Sequence, residues 1–174
     1  MKTKGILSVS FLAIALFVGA NCFAQKETKN IVGVAVGSKN HTTLVAAVKA
    51  AGLVETLSGK GPFTVFAPTN DAFAKLPKGT VESLLEPANL KTLQSILTYH
   101  VVAGKLDSKA VVAAIKAGNG KAVLTTVQGA KLTASLQGKD VVITDAKGGK
   151  ATVTAVDLNA SNGVVHVVDA VLMH

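Results

Sequence analysis

The chain has 174 residues, 49% of them apolar and 4% aromatic, with eighteen lysines, no arginine and ten acids for a formal charge of +8. The lysines stand singly, at Lys49, Lys60, Lys91, Lys105, Lys121, Lys131, Lys139 and elsewhere. A nucleic-acid groove wants clustered cations, interleaved aromatic rings and the arginine fork that reads bases and phosphates, so this composition argues against a nucleic-acid partner.

The N-terminus has the grammar of an export signal: a basic MKTKG, an apolar ILSVSFLAIALFVGA, then NCFAQ. Residues 1–24 are expected to be a secretory signal peptide, 25–30 a polar lead-in, and 31–174 one domain. Cys22 is the sole cysteine, so the domain after the signal has no thiol or disulfide chemistry. Gly19, Ala20 and Asn21 match a lipidation site poorly, and a lipid anchor at Cys22 is not expected. The apolar run is short against the roughly 20 residues that span a bilayer, and nothing later replaces it. These features predict a secreted, periplasmic or surface-associated protein of bacterial type, with no integral membrane segment once the signal is removed. The remaining chain is long enough to bury about two thirds of its extended-chain surface around one core.

From Asn40, HTTLVAAVKAAGLVETL reads as helix with a break at Gly52. FTVFAP is a short buried strand that Pro68 ends, and Thr69, Asn70 or Asp71 can open a small helix over 72–76. Thr80 is placed to cap VESLLE, and Asn89 to cap LKTLQSILTY, where Leu90, Leu93, Leu97 and His100 fall on one face. Asp107 or Ser108 opens a helix through Lys116 that Gly118 closes. After Lys121 the pattern turns to strands: KAVLTTV, KLTASLQ, DVVITD, KATVTAV and GVVHVVDAVLM, punctuated by Gly129, Gly138, Gly148, Gly149, Asn162 and Gly163. The fold class is α+β, an antiparallel sheet or sandwich covered by helices.

Chemistry is sparse. The chain contains no GxSxG elbow, no phosphate-binding glycine loop and no HExxH or HxH pair. His41, His100, His166 and His174 are the histidines a metal would need. His41 at a helix start and His174 at the last position are expected to be exposed. Alternation puts His166 with Val164, Val168 and Leu172, and Asp169 with Val165, Val167 and Val171, so His166 reads as a hydrogen-bonded, partly buried group. Asp71 with Asp169 would make a glycosidase pair only at a separation of roughly 5 to 9 Å, and Asp145 with Asp157 has no acid-base signature. Neither a cofactor, a metal nor a catalytic residue is expected. Two acceptor sequons, at 40–42 and 159–161, are expected to stay unmodified in a bacterium.

Three stretches carry more information than composition does: GPFTVFAPTNDAFAKLP at 61–77, ILTYHVVAGKL at 96–106, and NGVVHVVDAVLM at 162–173. In this order they closely resemble the motifs of the fasciclin domain, and HTTLVAAVKAAGLVETL resembles its opening helix. The resemblance covers about residues 31–173. Thr64, Phe66, Ala67, Pro68, Thr69, Asn70, Ala72 and Phe73 match the first motif, Tyr99 and His100 the tyrosine-histidine motif, and Gly163, His166, Val168 and Asp169 the last. The family's final motif often runs on into a proline, whereas here His174 follows Met173. The resemblance implies a wedge-like β-sandwich with several packed helices, with Thr69 organising a loop and Phe66, Phe73 and Val168 in the core.

It also implies a non-catalytic adhesion or interaction module that binds matrix, envelope polymer or protein, the partner being an unidentified protein or polysaccharide. The tyrosine-histidine region is linked to recognition in some members, which offers Tyr99 as a binding contact; the helical pattern of Leu90 to His100 offers the competing reading, a packed joint between helix and strand. Two other readings compete: a small-ligand or polysaccharide-binding protein or enzyme on the same fold, and a structural component of an envelope or biofilm.

Overall fold

The computed structural model describes residues 29–173; the expected signal, the first part of the lead-in and His174 lie outside them. Seven strands form one continuous sheet, β1 Phe63–Pro68, β2 Val101–Ala103, β3 Lys121–Thr125, β4 Lys131–Gln137, β5 Asp140–Thr144, β6 Lys150–Ala160 and β7 Gly163–Val168, in the order β2-β1-β7-β6-β5-β4-β3. The β1–β7 pair is parallel, with Phe66 opposite His166, and the other pairs are antiparallel. The expected antiparallel arrangement holds at every pair but this one. The strands come from opposite ends of the domain, and no hairpin constrains their direction.

The sandwich is a single sheet bent over on itself. The long β6 pairs with both β5 and β7, and its register slips between Val153 and Ala155 and again between Ala155 and Leu158. Irregularities of this kind bend a strand. The free edges then meet at one corner, where Val102 bridges Thr126 and the Val127 N–H donates to Val101 O at 2.9 Å. Inside the curl lies the first core. It includes Phe66, Val102, Leu124, Leu132, Ile143, Val153 and Val168 from the seven strands, joined by Val111, Ile115 and Tyr99 from two helices.

The helices are α1 Ile31–Val36, α2 Thr42–Ala50, α3 Val54–Ser58, α4 Asn70–Ala74, α5 Thr80–Leu85, α6 Leu90–Tyr99 and α7 Ser108–Ala117. α7 plugs the curled sheet through Val111 and Ile115, while the others lie outside it. There the opposite faces of β1, β2 and β7 present Val65, Ala67, Val101 and Val165 to Ile31, Leu44, Val48, Leu57, Phe73, Leu93 and Leu97. β1 and β7 are therefore buried on both faces, as the unbroken apolar runs of FTVFAP and GVVHVV require. β3, with one face outside, alternates buried and exposed.

The helix read from Asn40 breaks at Gly52, at φ +68°, as expected, and the two pieces are α2 and α3. Other local expectations change. Thr80 is the first residue of α5, and Gly79 at φ +84° takes the capping position. The Asn89 side chain does not cap α6; it donates back to Ser83 O at 2.8 Å. The caps at Thr69 and Asp107 hold, accepting from Ala72 N at 3.2 Å and Ala110 N at 2.7 Å. α1 was not expected, because its β-branched residues and Gly33 are weak helix formers. It forms by capping on Asn30 and by burying Ile31.

Gly163 opens β7 where two backbones touch. A Cβ there would strike the Phe63 carbonyl on β1 and press on Ile31. Gly163→Ala is expected to cost about 2 to 4 kcal/mol in urea unfolding, by forcing the central pair apart. Gly138→Ala, in an open turn at φ +66°, should cost about 1 to 2 kcal/mol through backbone strain alone.

Candidate functional site

The motif residues build two polar joints. At the first, the C-terminal end of α6 turns into β2. Tyr99 is 0% exposed, and its hydroxyl accepts from Ala146 N at 3.0 Å and donates to Lys131 O at 3.3 Å. His100 is 2% exposed; its Nδ1 lies 2.8 Å from Ile96 O and its Nε2 accepts from Leu172 N at 3.0 Å. The carbonyl at Nδ1 requires a proton there and the amide at Nε2 requires a lone pair, so these contacts assign the neutral Nδ1–H tautomer. Burial drives the His100 pKa down to about 4, against a smaller upward pull from Ile96 O and Asp145. Asp145 completes the joint. Its Oδ1 accepts from Lys147 N and Gly149 N at 3.0 and 2.7 Å, and its Oδ2 from Met173 N at 3.0 Å.

At the second joint, His166 Nε2 lies 2.7 Å from Leu106 O, Nδ1 accepts from Asp157 N at 3.4 Å, and the ring stacks on Phe66 at 5.8 Å. Beside it, Thr64 Oγ1 donates to Gly104 O at 2.7 Å and accepts from Leu106 N at 2.8 Å. Asp157 accepts from both the backbone and the hydroxyl of Ser108. The hydroxyl bond is the main reason its pKa lies below the carboxylate norm. The remaining polar motif residues act as clamps. Asn70 Oδ1 accepts from Thr43 N at 3.0 Å and its Nδ2 donates to Lys39 O at 3.1 Å, tying α4 to the start of α2. Asp169 accepts from Thr152 N at 2.7 Å and faces Lys75 at 3.8 Å.

Ala67, Pro68, Ala72, Phe73 and Val168 are buried, so the motifs converge on packing. Of the two readings of Tyr99, the geometry favours the packed joint: its ring is enclosed by the first core and its hydroxyl bonds two backbone groups. The expected exposure of His41 is corrected. A short 3-10 turn tucks it inward at 4% exposure, with Nδ1 2.8 Å from Ser38 Oγ, and burial lowers its pKa against a smaller upward pull from the Ala67 backbone. His166 keeps the face that alternation gave it. Among the described residues, no group of three or more histidines and acids is placed to hold a metal ion.

What remains open to a partner is surface. Over the first joint lies a cleft of about 500 Å³ lined by Thr80, Leu84, Lys91, Ser95, Lys147 and Met173. The backbone of its Lys147 side is fixed by Asp145, one residue from the Tyr99 contact at Ala146. Sequence reading missed this cleft, as well as Asp145 and Asn162 as organisers. Asn162 accepts from Ile31 N at 3.0 Å and donates to Leu57 O and Gly59 O at 2.7 and 2.9 Å. The Asn-Gly step was legible only as a turn.

The fasciclin-domain profile matches residues 39–174. The chain belongs to the fasciclin family. It is 51% identical over 150 residues to Protein sll1483 of Synechocystis sp. (strain ATCC 27184 / PCC 6803 / Kazusa), covering 86% of this chain and 76% of that one. A second Synechocystis relative, the uncharacterized protein sll1735, is 43% identical over 147 residues, covering 83% of this chain and 97% of the other. Among solved structures, a FAS1 domain pair from the insect cell adhesion molecule Fasciclin I superposes with a TM-score of 0.65 at 20% identity, over 84% of this chain and 51% of that one. At that identity the superposition shows the shared fold.

His100 makes the stability of this fasciclin domain depend on pH. In the unfolded chain a histidine protonates near 6.5; in the folded chain His100 stays neutral until about 4. Between those values the unfolded state binds more protons, so stability is full above pH 6.5 and falls as pH drops towards 4, by up to about 3 kcal/mol. Urea unfolding of the wild type at pH 7.5 and 4.5 should show that loss. His100→Gln should be about 1 to 3 kcal/mol less stable at pH 7.5 and show a shallower slope.

Proposed function

We propose that this fasciclin domain is an exported, non-catalytic adhesion module that binds an anionic polymer or protein of the envelope or extracellular matrix through its lysine-bearing outer surface. Export rests on the basic-apolar N-terminus, and the adhesive class on family membership; the insect structure with the same fold comes from a cell adhesion molecule. The observation that carries the reading is how the motif side chains are used. Tyr99, His100, Thr64 and His166 are each bonded to backbone groups and buried at 2% exposure or less. Recognition then falls to exposed residues.

The cleft over the tyrosine-histidine joint fits that task. The exposed Lys91 and Lys147 line it together with the hydroxyl residues Thr80 and Ser95 and the apolar Leu84 and Met173. Ammonium groups attract carboxylate or sulfate, while hydroxyls and aliphatic carbon suit a sugar ring or peptide. Lysine gives charge attraction without the bidentate geometry of arginine, a chemistry suited to repeating polyanions.

The test is retention of the purified protein on extracellular and envelope polymer fractions at low and high salt. Binding should weaken as salt screens the lysines. The double charge reversal Lys91→Glu with Lys147→Glu should cut retention at least roughly tenfold while leaving the melting temperature within about 3 °C, since both are surface changes. Equal retention by the reversed variant would place the contact elsewhere, and no retention of the wild type on any fraction would sink the polymer reading.

A further inference from the structure

Beneath α1 the packing is incomplete. The second core contains an apolar slot walled by Ile31, Val32 and Ala35 of α1, Leu44 and Val48 of α2, and Val65 of β1. The slot is tight: about 30 Å³ of it admits a water-sized sphere, so an occupant has to open it. Protein interiors are ordinarily filled to crystal-like density, and a gap lined by aliphatic carbon offers water no partners.

Two polar residues border it. His100 has both ring nitrogens engaged, by Ile96 O and Leu172 N, and contributes ring carbon. Lys49 is exposed in the last turn of α2, and no ion pair to it is found among the described residues. An apolar slot with a lone ammonium at its rim matches an amphiphile with an anionic head.

The wall that would have to move is α1. It is pinned at its N-terminal end by Asn30 capping Gly33 at 2.8 Å, by Asn162 accepting from Ile31 N, and by Ser161 N donating to Lys29 O at 3.0 Å. Its far end, where Val36 is 56% exposed, is bonded within its own turn by Gly37 N on Gly33 O at 3.1 Å, and the chain is next tied at Lys39 O by Asn70. An outward shift of the helix between these ties widens the slot.

We propose that this slot binds a single straight-chain carboxylate, the methylene chain lying between α1, α2 and β1 and the carboxylate paired with Lys49. The site is distinct from the lysine cleft of the polymer reading, and either can fail without the other. The probe is cis-parinarate, a fatty acid whose fluorescence rises in apolar surroundings, competed by dodecanoate or dodecanol. The wild type should bind it saturably at one site. Filling the slot with Ala35→Phe should weaken binding at least roughly tenfold. Dodecanoate should compete better than dodecanol, and Lys49→Gln should erase that preference, about threefold for an exposed pair. Absence of saturable binding, unchanged binding in folded Ala35→Phe, or an acid preference that survives Lys49→Gln would each overturn the proposal. Should Ala35→Phe not fold, methyl NMR of the wild type decides: dodecanoate should shift Val32, Leu44, Val48 and Val65, and shifts confined to other methyls would overturn it.

Discussion

The parallel pairing of β1 with β7 is the constraint on which the rest of the molecule depends. The two strands come from opposite ends of the domain and run side by side from Phe63 with Gly163 to Pro68 with Val168. Pairing them brings the N-terminal helices and the C-terminal hairpins into contact, so local helices and hairpins become one domain only when this long-range contact forms. Because both faces of the pair are covered, each side chain on it commits to one of two cores. Phe66 and Val168 enter the curled sheet, while Val65, Ala67 and Val165 meet the helices. A one-residue slip would exchange those sets and place the His166 ring against the helical layer.

Polar motif residues occur where that arrangement leaves backbone groups without sheet partners. The chain leaves β2 through Gly104 and Leu106, past the end of its ladder, and Thr64 takes up Gly104 O and Leu106 N while His166 takes up Leu106 O. The segment after β7 likewise has no strand beside it, and His100 and Asp145 receive the amides of Leu172 and Met173. Buried amides and carbonyls left alone cost about 1 to 3 kcal/mol each, so these side chains are fixed by backbone need. A histidine suits such a place because one neutral ring offers a donor and an acceptor on opposite edges.

Periodicity made much of this visible in advance. The stripe of Leu93, Leu97 and His100 faces inwards, the alternation in GVVHVV keeps His166 with Val164 and Val168, and the caps at Thr69 and Asp107 form. Patterns of this kind are local, written within one element. What the sequence did not disclose was long-range. The parallel direction of β1 and β7 has no local signature. α1 is stabilised by Asn162, 131 residues away from its Ile31 partner, and its own residues argue against a helix. His41 looked like a polar residue at a helix start, but the 3-10 turn that buries it is set by tertiary packing. Tyr99 was legible as a motif residue, and the spacing of α6 could not say whether its hydroxyl met solvent or the 145–149 turn.

The same geometry separates the side chains this domain needs to fold from those it does not. Replacing a side chain of the joints disturbs two or three backbone bonds at once, across elements distant in the chain, so its effects appear as lost stability. Lys147 of the cleft over the first joint is carried by that frame: the 145–149 turn is fixed by Asp145 Oδ1 and the Tyr99 hydroxyl, both of which act on backbone amides and are indifferent to the side chain at 147. An exposed side chain such as Lys147 can be exchanged at little cost in folding. The buried motif side chains of this chain are spent on its own backbone, and they are poor guides to what its surface meets.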